Sequence, residues 1–234
     1  MESVSTQSVQ VQLRVNAFVR SVYNWMAVGL ALTGLIAYYV ASSPNLLRYV
    51  YSNRLIFFGL IIAELAIVFT LSARINKMRA STATGLFLLY SALNGLTMAF
   101  VFIVYTSSSI ASTFFVCAAT FVACSVYGWM TKRDLTSMGG FLMMGLIGII
   151  IASLVNMFIR SSMVSMIVSY IGVLVFVGLT AYDTQKLKHM ATSQPAGLDA
   201  AVIRKGSIIG ALTLYLDFIL MLQYLLMIFG GSRD

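Results

Sequence analysis

The chain has 234 residues, of which 60% are hydrophobic and only 9% charged. A soluble domain carries roughly 25% charged residues, so this composition excludes one and points to a bilayer. The net charge of +8 does not argue for nucleic acid, because the Lys and Arg residues fall between apolar runs, where they meet lipid headgroups and set topology.

Residues 1–10 are polar. Val11, Val15, Phe18, Val19 and Val22 then recur at helical spacing, with Arg14 and Arg20 off that stripe. This pattern predicts a short helix at the membrane surface, within a polar N-terminal segment over 1–21. The apolar runs that follow predict spans over 22–41, 55–73, 83–105, 110–130, 139–159, 163–183 and 206–229. The expected organisation is one seven-helix membrane domain over 22–230 and a tail over 231–234. The first run exceeds the apolar core of a signal peptide, so it is expected to be a retained span. Tyr23, Trp25, Tyr38, Tyr39, Tyr127 and Trp129 cluster near span ends, as interfacial aromatics do. Cys117 and Cys124 lie seven residues apart in one run. On a helix that is about 10 Å of rise, too far for a disulfide.

Orientation follows from the cations. Arg14, Arg20, Arg74, Lys77, Arg79, Lys132, Arg133, Lys186, Lys188, Arg204 and Lys205 share one side. Arg48, Arg54, Arg160 and Arg233 fall on the other. The excess predicts a cytosolic N-terminus and an external C-terminus.

Three acids stand inside or at the edge of spans. Glu64 is in the middle of span two, Asp217 lies in span seven, and Asp183 closes span six. A carboxylate at bilayer depth is unfavourable by several kcal/mol, so such residues usually face a polar interior and mark a pathway. The alternative is a protonated carboxyl hydrogen-bonded between helices. Gly206, Gly210, Thr213, Asp217 and Tyr224 share a face of span seven, with Gln223 beside them. Ser165, Ser169, Gly172, Phe176 and Asp183 share a face of span six, and Tyr90, Asn94 and Thr97 one of span three. Such stripes suit either a cavity lining or small-residue helix packing.

If Asp183 and Asp217 approach each other, they resist being ionised together and share a proton, which makes them one coupled site. Carboxylates also suit a hard cation such as Ca²⁺, although two cannot complete its shell, so binding is weak and transient. By hydropathy Asp217 lies near mid-membrane and Asp183 near the cytosolic edge. Pairing therefore requires span six to run past Asp183, or span seven to start late. His189 is the sole histidine, which excludes a histidine-based metal site and a Ser-His pair. No cofactor and no catalytic residue is expected.

The segments Val177-Gly178-Leu179-Thr180-Ala181-Tyr182-Asp183-Thr184-Gln185 and Leu214-Tyr215-Leu216-Asp217-Phe218 resemble signature segments of the Bax inhibitor-1 family, also called the transmembrane Bax inhibitor motif family. Glu64 after Ala63 fits the same pattern, and the resemblance covers about Val22 to Gly230. It is nearest to bacterial inner-membrane members. The resemblance implies an all-α integral membrane protein, six helices around a central seventh, in a bacterial inner membrane. It implies a pH-sensitive Ca²⁺ leak channel in which Asp183 and Asp217 sense protons and gate. Glu64 would lie in the pore; the polar stripes of spans three and seven add Asn94 and Thr213 to the expected ion pathway. Arg74 is the nearest match to a family arginine that contributes to the latch.

Other readings remain. A non-conducting modulator of other membrane proteins, such as a protease, would carry the same spans, and a cation/proton exchanger the same carboxylates. An intramembrane aspartyl protease also places Tyr-Asp in span six. Here Asp217 follows Leu214-Tyr215-Leu216 rather than Gly-x-Gly, and no Pro-Ala-Leu follows; the two prolines are Pro44 and Pro195. Span seven has no Lys for a retinal Schiff base.

Overall fold

A computed structural model describes residues 2–193 and 198–231, with side chains from residue 11 onward. Pro195, Arg233 and positions 232–234 of the expected tail lie outside the described residues. Among those described, the chain is α-helical: α1 (Glu2–Ala41), α2 (Pro44–Ser52), α3 (Arg54–Arg74), α4 (Ala80–Met98), α5 (Val101–Val104), α6 (Ser107–Met130), α7 (Thr136–Ile159), α8 (Ser162–Thr192) and α9 (Ala200–Phe229), with a 3-10 turn at Ile75–Lys77. Seven helical segments are long and apolar enough to cross a membrane. Of these, the last is the most enclosed, with 56% of its apolar window buried.

The helices fall into two compact units. The first comprises Met1–Val104 and His189–Tyr215, the second Tyr105–Lys188 and Leu216–Asp234. α8 and α9 each contribute one end to either unit.

In the first unit α1 packs along α4. Val15, Phe18, Val22, Met26, Thr33, Ala37 and Val40 are buried on one continuous stripe. That stripe crosses position 21 at unbroken three-four spacing, with no Gly or Pro to stop it. The separate surface helix expected before span one is therefore the lower part of α1 itself. Gly29 and Gly95 let the two helices approach: a Cβ on Gly29 would sit 2.6 Å from the Phe87 ring, and one on Gly95 2.8 Å from the Thr33 carbonyl oxygen. α2, in the loop after span one, begins with Pro44 in its first turn, where the missing N–H loses nothing. Its Tyr51 explains a break in span three. The Phe100 amide donates to the Tyr51 hydroxyl at 2.9 Å, and that hydroxyl donates toward the carbonyls of Leu96 and Thr97 at 3.0 and 2.9 Å. One phenol thus satisfies backbone groups that the gap between α4 and α5 frees. Burial pushes the Tyr51 phenol above its ordinary value, so the proton needed for donation is retained.

In the second unit α6, α7, α8 and the end of α9 pack through small residues. A Cβ on Gly178 would meet Leu142 at 2.6 Å, and one on Gly139 the Tyr182 ring at 2.5 Å. Phe218 takes edge contacts from Phe114 and Phe121, with centroids 5.6 and 5.5 Å apart. Cys117 and Cys124 are free thiols, as their separation on α6 requires.

The sixth span runs to Thr192, nine residues past the hydropathy boundary at Asp183. Leu187 and Ala191 stay buried and continue the apolar stripe, while the polar positions between them remain helix-compatible. A hydropathy window registers the lysines there but not the stripe.

Candidate functional site

Asp183 and Asp217 both lie in the second unit, and both are buried. The extension of α8 past Asp183 meets the condition that pairing set, while α9 does not start late. The two carboxyls are within electrostatic reach of each other. Asp217 is 4% exposed, and its Oδ2 is the one buried side-chain oxygen or nitrogen without a hydrogen-bond partner among the described residues. Lys186, one turn on along α8, brings a positive charge within range of Asp183.

The local frame of Asp183 is stiff. Gly128 of α6 lies against the Ala181 backbone of α8 so closely that a Cβ would overlap the Ala181 carbonyl. Thr184 reaches Ser125 at 3.4 Å. Gln185 accepts from the Leu135 amide and donates to the Arg133 carbonyl, both at 2.8 Å, which fastens the α6–α7 connection to α8. Lys188 donates to the Trp129 carbonyl at 2.7 Å and stands 5.6 Å from the center of its ring. Further along, the small-residue stripes of spans six and seven do meet. Tyr224 lies over Gly172, where a Cβ would come within 2.6 Å of its ring, and stacks on Phe176 at 6.0 Å. Ser169 reaches the Met227 sulfur at 3.6 Å.

Glu64 belongs to the first unit and is half-buried. Thr97 donates to its Oε1 at 2.8 Å, and Asn94 hydrogen-bonds it as well. Asn94 Oδ1 in turn accepts from the Tyr215 hydroxyl at 3.1 Å. Tyr215 also lies 2.7 Å from the Thr33 hydroxyl, which donates to the Ser91 carbonyl at 2.7 Å. Each hydroxyl carries one proton. The Thr33 proton serves Ser91, so the single Tyr215 proton faces two acceptors, Thr33 and Asn94. The Thr97 proton likewise faces two acceptors, Glu64 Oε1 and the Asn94 carbonyl at 3.1 Å, so the network around Glu64 is continuous but short of donors.

Of the other expected site residues, Asn94 is in this network. Thr213 is half-buried and spends its hydroxyl on the Ile209 carbonyl of its own helix at 3.1 Å. Arg74 ends α3, exposed, in the first unit, whereas the Asp pair lies in the second. Tyr215, Thr33 and Gln185 carry the geometry and escaped the sequence reading. Tyr215 and Gln185 stand two residues from the two aspartates, inside the same segments, which was the available signal. Among the described residues no three His, Cys, Asp or Glu side chains cluster to hold a metal ion. A cation at the Asp pair would rely on carbonyl or water oxygens for the rest of its shell.

The family model described as inhibitor of apoptosis-promoting Bax1 matches residues 15–234. The inner membrane protein YbhL of Escherichia coli is 53% identical over 229 residues, covering 98% of this chain and 97% of its own. An uncharacterized protein of Borreliella burgdorferi is 42% identical, covering 98% of each chain. An uncharacterized membrane protein of Streptococcus pyogenes is 36% identical, covering 95% of this chain and 96% of its own. With a match across nearly its whole length, on the same segments that hold Asp183 and Asp217, the chain belongs to the Bax inhibitor-1 family.

Proposed function

We propose that this membrane protein is a pH-sensitive cation leak channel, with Ca²⁺ as its ion, in which Asp183 and Asp217 share a proton and act as the gate. The observation that carries the reading is the buried Asp217 oxygen without a partner, with the buried carboxyl of Asp183 within electrostatic reach. A lone buried carboxylate is strongly unfavourable, whereas a proton held between two carboxyls satisfies both and ties α8 to α9. Loss of that proton leaves two like charges together. They then separate or take up a cation, and either event alters the path. Glu64 is proposed as a second carboxylate on the ion path, positioned by Thr97 and Asn94.

Flux of Ca²⁺ into liposomes containing only this protein tests the reading. The native chain is expected to conduct with a rate that depends on pH, and Asp217→Asn to conduct without that dependence. No flux from the native chain at any pH would leave a non-conducting membrane modulator as the function. Proton counter-flux at fixed stoichiometry would make it an exchanger. We further propose an inner-membrane protein with a cytosolic N-terminus, from the cation excess on that side. A reporter fused after Asp234 is then external, and a cytosolic signal there overturns the orientation.

A further inference from the structure

At the α7–α8 turn the second unit holds a cleft of about 500 Å³, lined by Ser153, Asn156, Arg160, Ser162, Gln223 and Met227 among others. Its walls are braced from within. Asn156 donates to Ser165 at 2.7 Å and accepts from the Ser161 amide at 3.0 Å, joining α7 to α8. Ser153 is hydrogen-bonded to Tyr224 of α9. After these bonds, the polar groups left uncommitted are the Arg160 guanidinium, the Gln223 amide and the Ser162 hydroxyl. The lining contains one cation and no carboxylate. Asp217 is six residues from Gln223 along α9, about 9 Å of rise away. Asp183 and Asp134 lie toward the opposite ends of α8 and α7.

The arginine also stands at a tight backbone turn. It ends α7 with φ of 56°, a left-handed conformation that most helices give to Gly or Asn. Its guanidinium offers a planar fork of donors that matches two oxygens of one phosphate. One positive charge with no acid beside it fits a singly charged anion, and a phosphodiester carries one charge. The rest of the surroundings is lipid-facing. Met157 and Met227 of the lining are 56% and 52% exposed, and Phe158 and Ile159, next to Arg160, are 81% and 62% exposed. On membrane-spanning helices those side chains meet acyl chains.

We propose that this cleft binds the headgroup of an anionic phospholipid. Arg160 holds the phosphodiester, Gln223 and Ser162 take the polar substituent, and Met157 and Met227 lie along the acyl chains. The site is independent of whether the protein conducts.

The test uses the full chain in a neutral detergent with three probes: dioctanoyl phosphatidylglycerol, dioctanoyl phosphatidylcholine and inorganic phosphate. Binding is read by native mass spectrometry and by the shift in thermal unfolding. Phosphatidylglycerol is expected to bind and stabilise, and the other two to do so far less. Arg160→Asn keeps a residue that tolerates the left-handed turn and removes the charge; it is expected to weaken phosphatidylglycerol binding about tenfold or more. Gln223→Leu, which leaves that turn untouched, is expected to weaken it severalfold and supplies the answer if Arg160→Asn does not fold. Equal retention of phosphatidylcholine, unchanged binding in the variants, or inorganic phosphate matching the lipid at equal concentration would each overturn the proposal.

Discussion

Glu64 and Asp217 each put a carboxyl within an apolar helix, and their surroundings differ. Glu64 is half-buried, with a donor from Thr97 and a bond from Asn94, in a network that reaches Tyr215 and Thr33. Asp217 is buried, with one oxygen unpartnered and a second acid as its neighbour. A carboxylate is stabilised by donated hydrogen bonds, and a carboxyl next to another carboxyl by a shared proton. The first arrangement holds a carboxyl in a set position where, on our proposal, it meets a cation. The second suits a group whose protonation decides where a helix sits. One protein thus places two acids at depth and, on our reading, gives them different work through their neighbours alone.

The largest expected effect comes from disturbing the frame of the second unit. Gly128→Ala forces α6 away from the Ala181 backbone, because the new Cβ overlaps a carbonyl rather than a flexible side chain. It is expected to lower stability by up to about 3 kcal/mol in a detergent unfolding assay. The Asp183 side should suffer while the Glu64 network is spared. A variant as stable as the native chain would mean that this contact does not hold α8 in place.

Next is the pair itself. Asp183→Asn and Asp217→Asn each keep a neutral hydrogen-bonding group and remove the coupled titration. Each is expected to flatten the pH dependence of flux, which amounts to about tenfold for each 1.4 kcal/mol of charge conflict. The double variant should add little. Single effects that simply sum would mark two independent sites and break the contrast with Glu64.

Glu64→Gln sharpens the comparison from the other side. Cation flux is expected to fall about fivefold, the scale of one charge-assisted hydrogen bond traded for a neutral one, while the pH dependence survives. Loss of the pH dependence here would assign Glu64 to the gate instead. The smallest effect is expected from Tyr215→Phe, which removes the one proton that Thr33 and Asn94 both face. A loss of about 1 kcal/mol in unfolding free energy with flux retained is the expectation. A larger loss of flux than of stability would show that the network positions Glu64 for the ion.

The seven spans and the three acids within or at the edge of them could be read from composition and hydropathy, because lipid imposes a length and an apolarity that a one-dimensional window detects. The segments around Asp183 and Asp217 also carried the family. Hydropathy went wrong where a helix continued through polar residues. It ended span six at Asp183, whereas the stripe of Leu187 and Ala191 carries α8 to Thr192. It also set a surface helix apart from span one, where Val15, Phe18, Val22 and Met26 form a single buried seam.

What the sequence determined by itself was which residues could not face lipid without a reason. What only the tertiary structure decided was which neighbour supplies that reason. Thr33, Tyr51 and Gln185 are ordinary residues in the sequence, and each becomes specific when a carbonyl or amide 45 or more residues away comes within hydrogen-bond range. Hydrogen bonds act over about 3 Å between chosen atoms, and burial acts over whole segments. The segment-scale force leaves its record in the order of residues, whereas the atom-scale one is written only in how the helices cross.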